Sequence, residues 1–256
     1  IHLTRRGVAF VCQQGGTPMS DMTPERGARN LLLNCAKAQA GDRLLIAYEP
    51  AEFGYFDKDA VNVVSRAARG LGVLVDTVDV GFNPETPHLS PALLAQFEAA
   101  DIILFLARLG DQLRFSDMPP GKKIIVSFAL NRELFGSGFS NAHHDAFLQI
   151  KREVNAVLDA GQQVHITCPL GTDVRGRPQI DLGRDGDTSI LRFPMSVFTP
   201  VPAHSFTGRV AMQFLTGTGS KYYDDYTITF DQPVFANMTD GRLQRFEGAQ
   251  VDVTRA

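Results

Sequence analysis

The sequence predicts an α/β protein with a mainly parallel, Rossmann-like sheet that carries helices on both faces, followed by a β-rich part. Helical and apolar strand patterns alternate repeatedly before residue 171, which is typical of a parallel sheet covered by helices. The strand patterns are short apolar runs between turn residues, as expected of strands buried on both sides. Beyond residue 171 the helical periodicity ends and short alternating segments follow. We therefore expect an α/β domain at 1–170 and a β-rich part at 171–256, with one shared core as the alternative to two separate cores.

The first predicted helix begins at Thr23, because this hydroxyl is followed by a proline and an acidic residue in the first helical turn. Arg43–Tyr48 follows as a buried strand. Apolar side chains recur at helical spacing over residues 60–71, and Gly72 is expected to end this second helix. The segment 73–80 then forms the next strand. This order predicts the first helix and strand units of the sheet.

The same alternation continues through the middle of the chain. Ser90, which precedes a proline, begins a third predicted helix, and the apolar strand Ile102–Leu106 follows it. Residues 123–128 form a further strand. Asn141 is predicted to cap a long helix, after which residues 163–168 form a strand. The side chains expected to face inward from that long helix are Ala146, Ile150, Val154, Val157 and Leu158.

Composition and charge exclude several classes of partner. The 256 residues carry a net charge of −3, and their basic residues are scattered rather than gathered in a stripe, so nucleic acid is not an expected partner. No run of about 18 apolar residues is present, and the opening segment has too short an apolar core for a signal peptide. We therefore expect a cytoplasmic protein with no membrane contact. Cys12, Cys35 and Cys168 lack the spacing of a metal site and are expected to be buried thiols.

No catalytic, cofactor-binding or metal-binding motif is found in the sequence. The glycine-rich loops of nucleotide-binding proteins and the GxSxG turn of hydrolases are absent. His143, His144 and Asp145 are adjacent, but neighbouring residues of a helix point about 100° apart, so we expect a solvated helix start there. Tyr222 and Tyr223 belong to a charged, tyrosine-rich cluster that suits a peptide groove or a subunit contact as well as a polar hairpin. We predict no catalytic residue, no metal and no cofactor.

Several segments, taken in order, resemble one family of enzymes. Residues 28–50 contain a helix, a Gly-Asp turn and a strand, and residues 148–178 contain a long helix and a strand that leads to the GTD motif at 171–173. Residues 193–210, with FPMSVFTPVP, and the strands within 226–248 complete the pattern. Together they are similar to the family of aminopeptidase T (thermophilic leucyl aminopeptidase) and the 2,5-dihydroxypyridine dioxygenases. The resemblance implies a peptide or a small aromatic acid as ligand, and a dimer.

The sequence departs from this family at its metal site. The resemblance implies a metal-binding glutamate in the segment where this chain has Met195 and Ser196, and a neutral hydroxyl does not replace an anionic oxygen ligand. The family's remaining ligands lie in a following α/β domain that the 256 residues do not include. Either a longer chain holds the metal centre or the protein is a degenerate, metal-free relative. The loss at Ser196 favours the second explanation, so we expect the protein not to be an enzyme.

The resemblance implies a peptide-binding accessory protein that binds a precursor or leader peptide in the biosynthesis of ribosomal-peptide natural products, as in the crocagin pathway. An extended peptide is expected to add to a strand of the β-rich part, and the expected partner chain is a second copy or a homologue. One alternative is a metal-dependent aminopeptidase or dioxygenase whose ligands lie in an unseen C-terminal domain or a partner subunit. Another is a structural subunit that stabilises an active homologue. The expected peptide-binding side chains are Arg192, Ser196, His204, Tyr222 and Tyr223.

Overall fold

The chain forms two compact units, each built on its own five-stranded sheet. The computed structural model describes residues 22–83, 89–113, 116, 118–160, 163–178, 190–194, 203–216 and 227–248. Of these, the first unit contains the residues up to 153 together with 190–194. The second unit contains the described residues from 154 to 178 and from 203 onward.

The sheet of the first unit is parallel throughout. Its strands are β1 (Arg43–Tyr48), β2 (Leu74–Asp79), β3 (Ile102–Leu106), β4 (Lys123–Ser127) and β7 (Leu191–Phe193). They lie in the order β2-β1-β3-β4-β7. In the central pair, Leu45 of β1 lies opposite Ile103 of β3.

Helices surround this sheet. They are α1 (Pro24–Asn30), α2 (Lys58–Gly70), α3 (Pro91–Ala99), α4 (Leu109–Gln112), α5 (Arg132–Phe135) and α6 (Gly138–Asn141), and α7 (His144–Ala160) runs from the first unit into the second. A π-helical turn, Leu31–Cys35, continues α1, and a 3-10 turn, Ala51–Phe53, follows β1. Within the described ranges, no helix is both long and apolar enough to cross a membrane.

The central strand β3 explains why helices cover both faces of the sheet. All of its residues are fully buried. Ile102 and Leu104 pack in one apolar cluster with side chains of α1 and α2, and Ile103 and Phe105 pack in a second cluster with Phe97 of α3. Because alternate side chains of a strand point to opposite faces, such a strand needs apolar cover on both sides. The predicted α/β class, with a helix-covered parallel sheet and a β-rich part, is confirmed.

The predicted starts of two helices are confirmed by their caps. Oγ1 of Thr23 accepts a hydrogen bond from the backbone N–H of Arg26 at 3.1 Å, and Oγ of Ser90 accepts one from Leu93 at 3.2 Å. Each bond satisfies a backbone donor that has no partner within its helix. Gly72, predicted to end the second helix, has a left-handed φ of 76° just after α2.

The start of the long helix differs from the prediction. Asn141 ends α6 instead of capping α7, and its amide donates to the backbone oxygen of Phe135 at 3.0 Å. The long helix begins at His144. Ile150 and Val157, predicted to face inward, are 51% and 54% exposed. An asparagine side chain can bind any nearby backbone group that lacks a partner. Here the short helices α5 and α6 place such groups next to Asn141.

The sheet of the second unit is antiparallel. Its strands are β5 (Val164–Thr167), β6 (Asp173–Gly176), β8 (Thr207–Thr216), β9 (Thr227–Thr239) and β10 (Arg242–Glu247), in the order β10-β9-β8-β6-β5. The strand predicted at 163–168 is formed, but it pairs with β6 here and does not join the parallel sheet. β7, from beyond residue 171, joins the parallel sheet through β4. The local sequence pattern predicts that a segment forms a strand, whereas the strand with which it pairs depends on tertiary contacts. The division into domains at 1–170 and 171–256 stays a prediction.

The cysteines differ in their surroundings. Cys35 is buried as predicted, and desolvation by this burial raises the pKa of its thiol to about 12. Cys168, predicted to be buried, is only half-buried at the turn between β5 and β6. Cys12 lies outside the described residues. The Cys35 thiol is therefore expected to be inert toward alkylating reagents, because the thiolate is the reactive form.

Gly27 in α1 lies so close to α5 that an added methyl group would overlap the backbone carbonyl of Phe135. We expect Gly27→Ala to lower the free energy of unfolding by about 1–3 kcal/mol, because backbone atoms on both sides resist displacement. Gly70→Ala is the matched control: Gly70 is an exposed helical residue with open space around it, so alanine should stabilise by about 0–1 kcal/mol. Urea denaturation measures both. Equal stability of the two variants would contradict the close approach of α1 and α5.

Candidate functional site

Two charged residues meet at the carboxyl edge of the parallel sheet. β1 and β3 are neighbours, while β2 and β4 lie on their outer sides, so the strand order reverses between β1 and β3. In open α/β sheets such a reversal leaves a crevice in which ligands commonly bind. Glu49 directly follows β1, and Arg108 follows β3 after a single alanine. Opposite charges therefore lie at the position where this fold usually holds a ligand.

Glu49 and Arg108 form a buried ion pair. Nη2 of Arg108 donates to Oε1 of Glu49 at 2.7 Å, Nε donates to the same carboxylate at 3.0 Å, and the backbone N–H of Arg108 donates to Oε2 at 3.0 Å. The side chains are 0% and 7% exposed. Removal of two charges from water is costly unless pairing and hydrogen bonds compensate for it. Three donors on one carboxylate provide that compensation.

Aromatic rings enclose the guanidinium group of Arg108. Its Cζ lies 3.3 Å from the centroid of the Phe82 ring and 4.9 Å from that of Tyr55. Burial raises the pKa of the Tyr55 hydroxyl. Gln112 of α4 also binds the backbone oxygen of Asn83 at 2.7 Å. The ion pair and these contacts hold the ends of β1 and β3 against the segment that follows β2. The side chains of Glu49, Arg108, Tyr55 and Phe82 therefore lie in this crevice.

The sequence contains a sign of this ion pair. A glutamate follows the apolar run of β1, and an arginine follows that of β3 almost directly. Because parallel strands end at the same edge of a sheet, charged residues immediately after neighbouring strands are expected to lie close together. The pairing of β1 with β3 was the missing information.

His144 of α7 contacts Pro194, the residue that follows β7. Its ring is buried, with 2% exposed, so the solvated helix start predicted for His143, His144 and Asp145 is wrong for this residue. Nδ1 of His144 donates to the backbone oxygen of Pro194 at 3.3 Å, and the Asn30 side chain accepts its backbone N–H at 3.2 Å. Desolvation by burial lowers the pKa of His144, which the bond to Pro194 partly opposes. Burial therefore favours the neutral imidazole.

The antiparallel sheet carries a row of polar side chains on one face. Asp173 of β6 lies opposite Arg209 of β8, Arg209 lies opposite Asn237 of β9, and Asn237 lies opposite Arg245 of β10. His165 of β5 approaches Asp173 at 2.8 Å. Residues directly opposite each other in neighbouring strands point to the same face. We call this row, which crosses all five strands, the polar row.

A groove of about 570 Å³ lies along the polar row. Its volume falls in the range of about 300–1,000 Å³ that is typical of ligand pockets. Guanidinium, amide, hydroxyl and carboxylate groups line it, so it offers donors and acceptors together. The lining residues are Asp173, Thr207, Gly208, Arg209, Asn237, Met238, Thr239, Gln244 and Arg245.

The carboxylates on this face are held in their charged forms. A hydrogen bond from His165 lowers the pKa of Asp173, with a smaller contribution from Arg175. Hydrogen bonding from Arg245 likewise lowers the pKa of Glu247. Both carboxyl groups are solvent-accessible, so these shifts describe local pairing rather than large stabilisation. At neutral pH the face presents charged groups of both signs.

The five predicted site residues do not all fall within the described structure. Ser196, Tyr222 and Tyr223 lie outside the described residues. Arg192 is half-buried in β7, opposite Val126 of β4, and therefore belongs to the parallel sheet. His204 is exposed in the loop before β8 of the second unit, where its backbone packs on Gly241. These five residues stay predictions as a peptide-binding set.

The residues that line the groove were not predicted as a site. His165 alternates with Val164 and Ile166 and so points to one sheet face, but the sequence does not align the strands that continue this face. In each strand the polar residues alternate with apolar ones, as in Asp173-Val174-Arg175. The alternation of polar and apolar residues shows which residues of one strand share a face. The register between neighbouring strands decides which residues of different strands lie beside each other on that face. In the part of the chain that the structure describes, no three of the side chains His, Cys, Asp and Glu lie together as a group that could hold a metal ion.

Comparison with solved structures establishes a shared fold. The 2,5-dihydroxypyridine dioxygenase of Pseudomonas putida KT2440 is similar with a TM-score of 0.54 and 12% identity, over 90% of this chain and 70% of that chain. Wild-type AmpT from Thermus thermophilus is similar with a TM-score of 0.50 and 13% identity, over 91% and 73% of the two chains. The sequence matches no protein-family model and no curated protein. The resemblance predicted from the sequence is thus confirmed as a likeness of fold.

Removal of Glu49 should expose the energetic role of the buried ion pair. We expect Glu49→Ala to lower the free energy of unfolding by about 3–5 kcal/mol, because Arg108 would stay buried without its partner. Asp76→Ala is the control, since the Asp76 and Arg43 side chains form a pair that is 66% and 53% exposed and should contribute less than about 1 kcal/mol. Chemical denaturation monitored by circular dichroism measures both. Similar small losses in the two variants would contradict a buried, well-paired Glu49.

The buried His144 should make stability depend on pH. Its folded pKa is lowered, whereas the unfolded pKa is about 6.5. Below about pH 6.5 the unfolded chain therefore binds a proton more readily than the folded chain, and stability falls with decreasing pH until the folded pKa is reached. We expect His144→Gln to flatten this dependence between about pH 7 and pH 5. His143→Gln, at an exposed site, should keep it. Thermal unfolding at several pH values tests this expectation, and parallel curves for wild type and His144→Gln would refute it.

Proposed function

We propose that this protein is a non-catalytic accessory protein that binds a peptide, namely a precursor or leader peptide in ribosomal-peptide natural-product biosynthesis. The groove along the polar row is the observation that carries the proposal. It is lined by side chains that donate and accept hydrogen bonds, and it reaches the edge strand β10 through Gln244 and Arg245. An extended peptide requires both features, because its backbone has a donor and an acceptor at nearly every residue.

The proposed mode of binding is strand addition. Within the described residues, β10 pairs only with β9, so its outer edge carries unpaired backbone groups. A peptide that pairs with this edge gains affinity from main-chain hydrogen bonds and specificity from side chains that enter the neighbouring groove. The peptide-binding residues predicted from the sequence stay proposals: His204 belongs to the second unit, as the groove does, whereas Arg192, Ser196, Tyr222 and Tyr223 are proposed from the sequence alone.

The proposal also includes a partner chain and a place in the cell. We propose a homodimer or a heterodimer with a homologue, in the cytoplasm. Two exposed apolar side chains of the first unit support a subunit contact: Phe139 is 60% exposed and stacks on Phe147 with 6.3 Å between ring centroids, and Ile150 of α7 is 51% exposed. Exposed aromatic and aliphatic groups that lie near each other commonly mark interfaces. Native mass spectrometry of the full chain measures the assembly.

A metal-dependent aminopeptidase or dioxygenase is the second candidate function. The likeness of fold to a dioxygenase and to AmpT favours it, although one fold hosts many activities. Its metal ligands would come from residues beyond this sequence or from a partner subunit. Elemental analysis of the purified full-length protein separates the two candidates, since stoichiometric zinc, cobalt or iron would support the enzyme.

Peptide binding is tested by isothermal titration with candidate leader and core peptides, followed by hydrogen exchange. We expect binding heat and slower amide exchange in β10, by up to about 100-fold when the peptide is at about 100 times its Kd. β2, an edge strand of the parallel sheet, is the internal control and should exchange at an unchanged rate. No heat with any precursor peptide, together with turnover of a small molecule, would reject the accessory role. Equal protection of β2 and β10 would reject strand addition at β10.

A further inference from the structure

Arg209 is fixed in the groove, and the residues that the structure describes use only one of its side-chain N–H donors. Its Nε donates to the backbone oxygen of Gly171 at 3.0 Å, and its Cζ lies 4.9 Å from the centroid of the Phe235 ring. Among the residues that the structure describes, none accepts a hydrogen bond from Nη1 or Nη2 of Arg209. The guanidinium group is thus held at Nε and by the Phe235 ring, and the four N–H donors at its outer end have no acceptor within the described ranges.

Two carboxylates on this face, those of Asp173 and Glu247, have direct partners other than Arg209. Asp173 accepts from His165 at 2.8 Å and lies 3.7 Å from Nε of Arg175. Glu247 accepts from Nε of Arg245 at 3.1 Å. Arg209 lowers the pKa of both carboxyl groups only through weaker, longer-range attraction. Its own charge is therefore not neutralised by a direct partner in the described part of the face.

Among the described residues of this face, positive groups outnumber negative ones around the groove. The guanidinium groups belong to Arg175, Arg209, Arg242 and Arg245, and the carboxylates belong to Asp173 and Glu247. A planar guanidinium with two free nitrogen atoms matches the geometry of a carboxylate, which it binds through two parallel hydrogen bonds. A cation that is already held in place loses little side-chain entropy when a ligand binds.

We propose that the groove binds a carboxylate of its ligand, and that Arg209 is the residue that binds it. The ligand is a peptide, so this inference rests on the proposed function and names the chemistry of the peptide. The carboxylate comes from either the C-terminus or an acidic side chain. Thr207, Asn237 and Gln244, which line the same groove, bind neighbouring amide groups of the peptide.

Three synthetic probes separate these cases: Ac-Ala-Ala-Gln-Ala-Ala-NH₂ without a carboxylate, Ac-Ala-Ala-Glu-Ala-Ala-NH₂ with an acidic side chain, and Ac-Ala-Ala-Gln-Ala-Ala-OH with a free C-terminus. Their affinities are measured on the full chain by NMR titration at low ionic strength, where exposed charges are least screened. We expect at least one carboxylate probe to bind about tenfold more tightly than the neutral probe, as a charge-assisted pair of hydrogen bonds provides. The preferred probe identifies the source of the carboxylate.

Variants assign the effect to Arg209. Arg209→Gln should remove the tenfold preference, and Arg209→Lys should restore only part of it because lysine lacks the planar fork. Arg175→Gln is the matched control, since Arg175 lies on the same face but outside the groove lining, and it should keep the preference. Thermal unfolding of each variant confirms that the sheet is intact.

Each outcome bears on a defined claim. Equal binding of all three probes would overturn the carboxylate inference and leave peptide binding supported. A preference that survives in Arg209→Gln would overturn the assignment to Arg209. No binding of any probe at millimolar concentration would overturn both the carboxylate inference and the use of this groove for peptides.

Discussion

The complete burial of β3 is the constraint on which the first unit depends. Ile102–Leu106 lies in the middle of the sheet with every side chain out of solvent. Its backbone groups pair with β1 on one side and β4 on the other, and its side chains need apolar cover above and below. α1 and α2 provide that cover on one face and α3 on the other. Because β3 is apolar on both faces, the sheet around it must be covered by helices on both sides.

The end of β3 also places the most deeply buried charges of the described chain. Arg108 follows this strand and meets Glu49 at the end of β1, where the strand order reverses. In related architectures this position receives a ligand, but here the carboxylate and two aromatic rings enclose the guanidinium group. The cation of this crevice is therefore already paired with an anion of the chain itself. The groove for which peptide binding is proposed lies instead on the second sheet.

The second sheet differs from the first because one of its faces carries charges. Val174, Val234 and Ala236 are buried on one face, while the polar row and its groove occupy the other. An antiparallel sheet permits this division, since its alternate residues can face a core and solvent. Arg209 lies in the middle of the polar row, held by Gly171 and Phe235, and no described residue accepts a hydrogen bond from its outer nitrogen atoms. The fold is shared with a dioxygenase and with AmpT, so such side chains, rather than the fold, distinguish what this protein binds.

The sequence by itself determined the class of this protein and the first four strands of its parallel sheet. Apolar runs identified the strands, and the caps at Thr23 and Ser90 identified helix starts, because these features depend on residues that are neighbours in the chain. The resemblance of ordered segments also predicted the likeness of fold. Only the tertiary structure decided which strands pair: β5 entered the antiparallel sheet and β7 the parallel one. The contact of Glu49 with Arg108 and the alignment of Asp173 with Arg209 followed from that pairing. Periodicity specifies the face on which a side chain lies, whereas partner and register depend on contacts between distant segments.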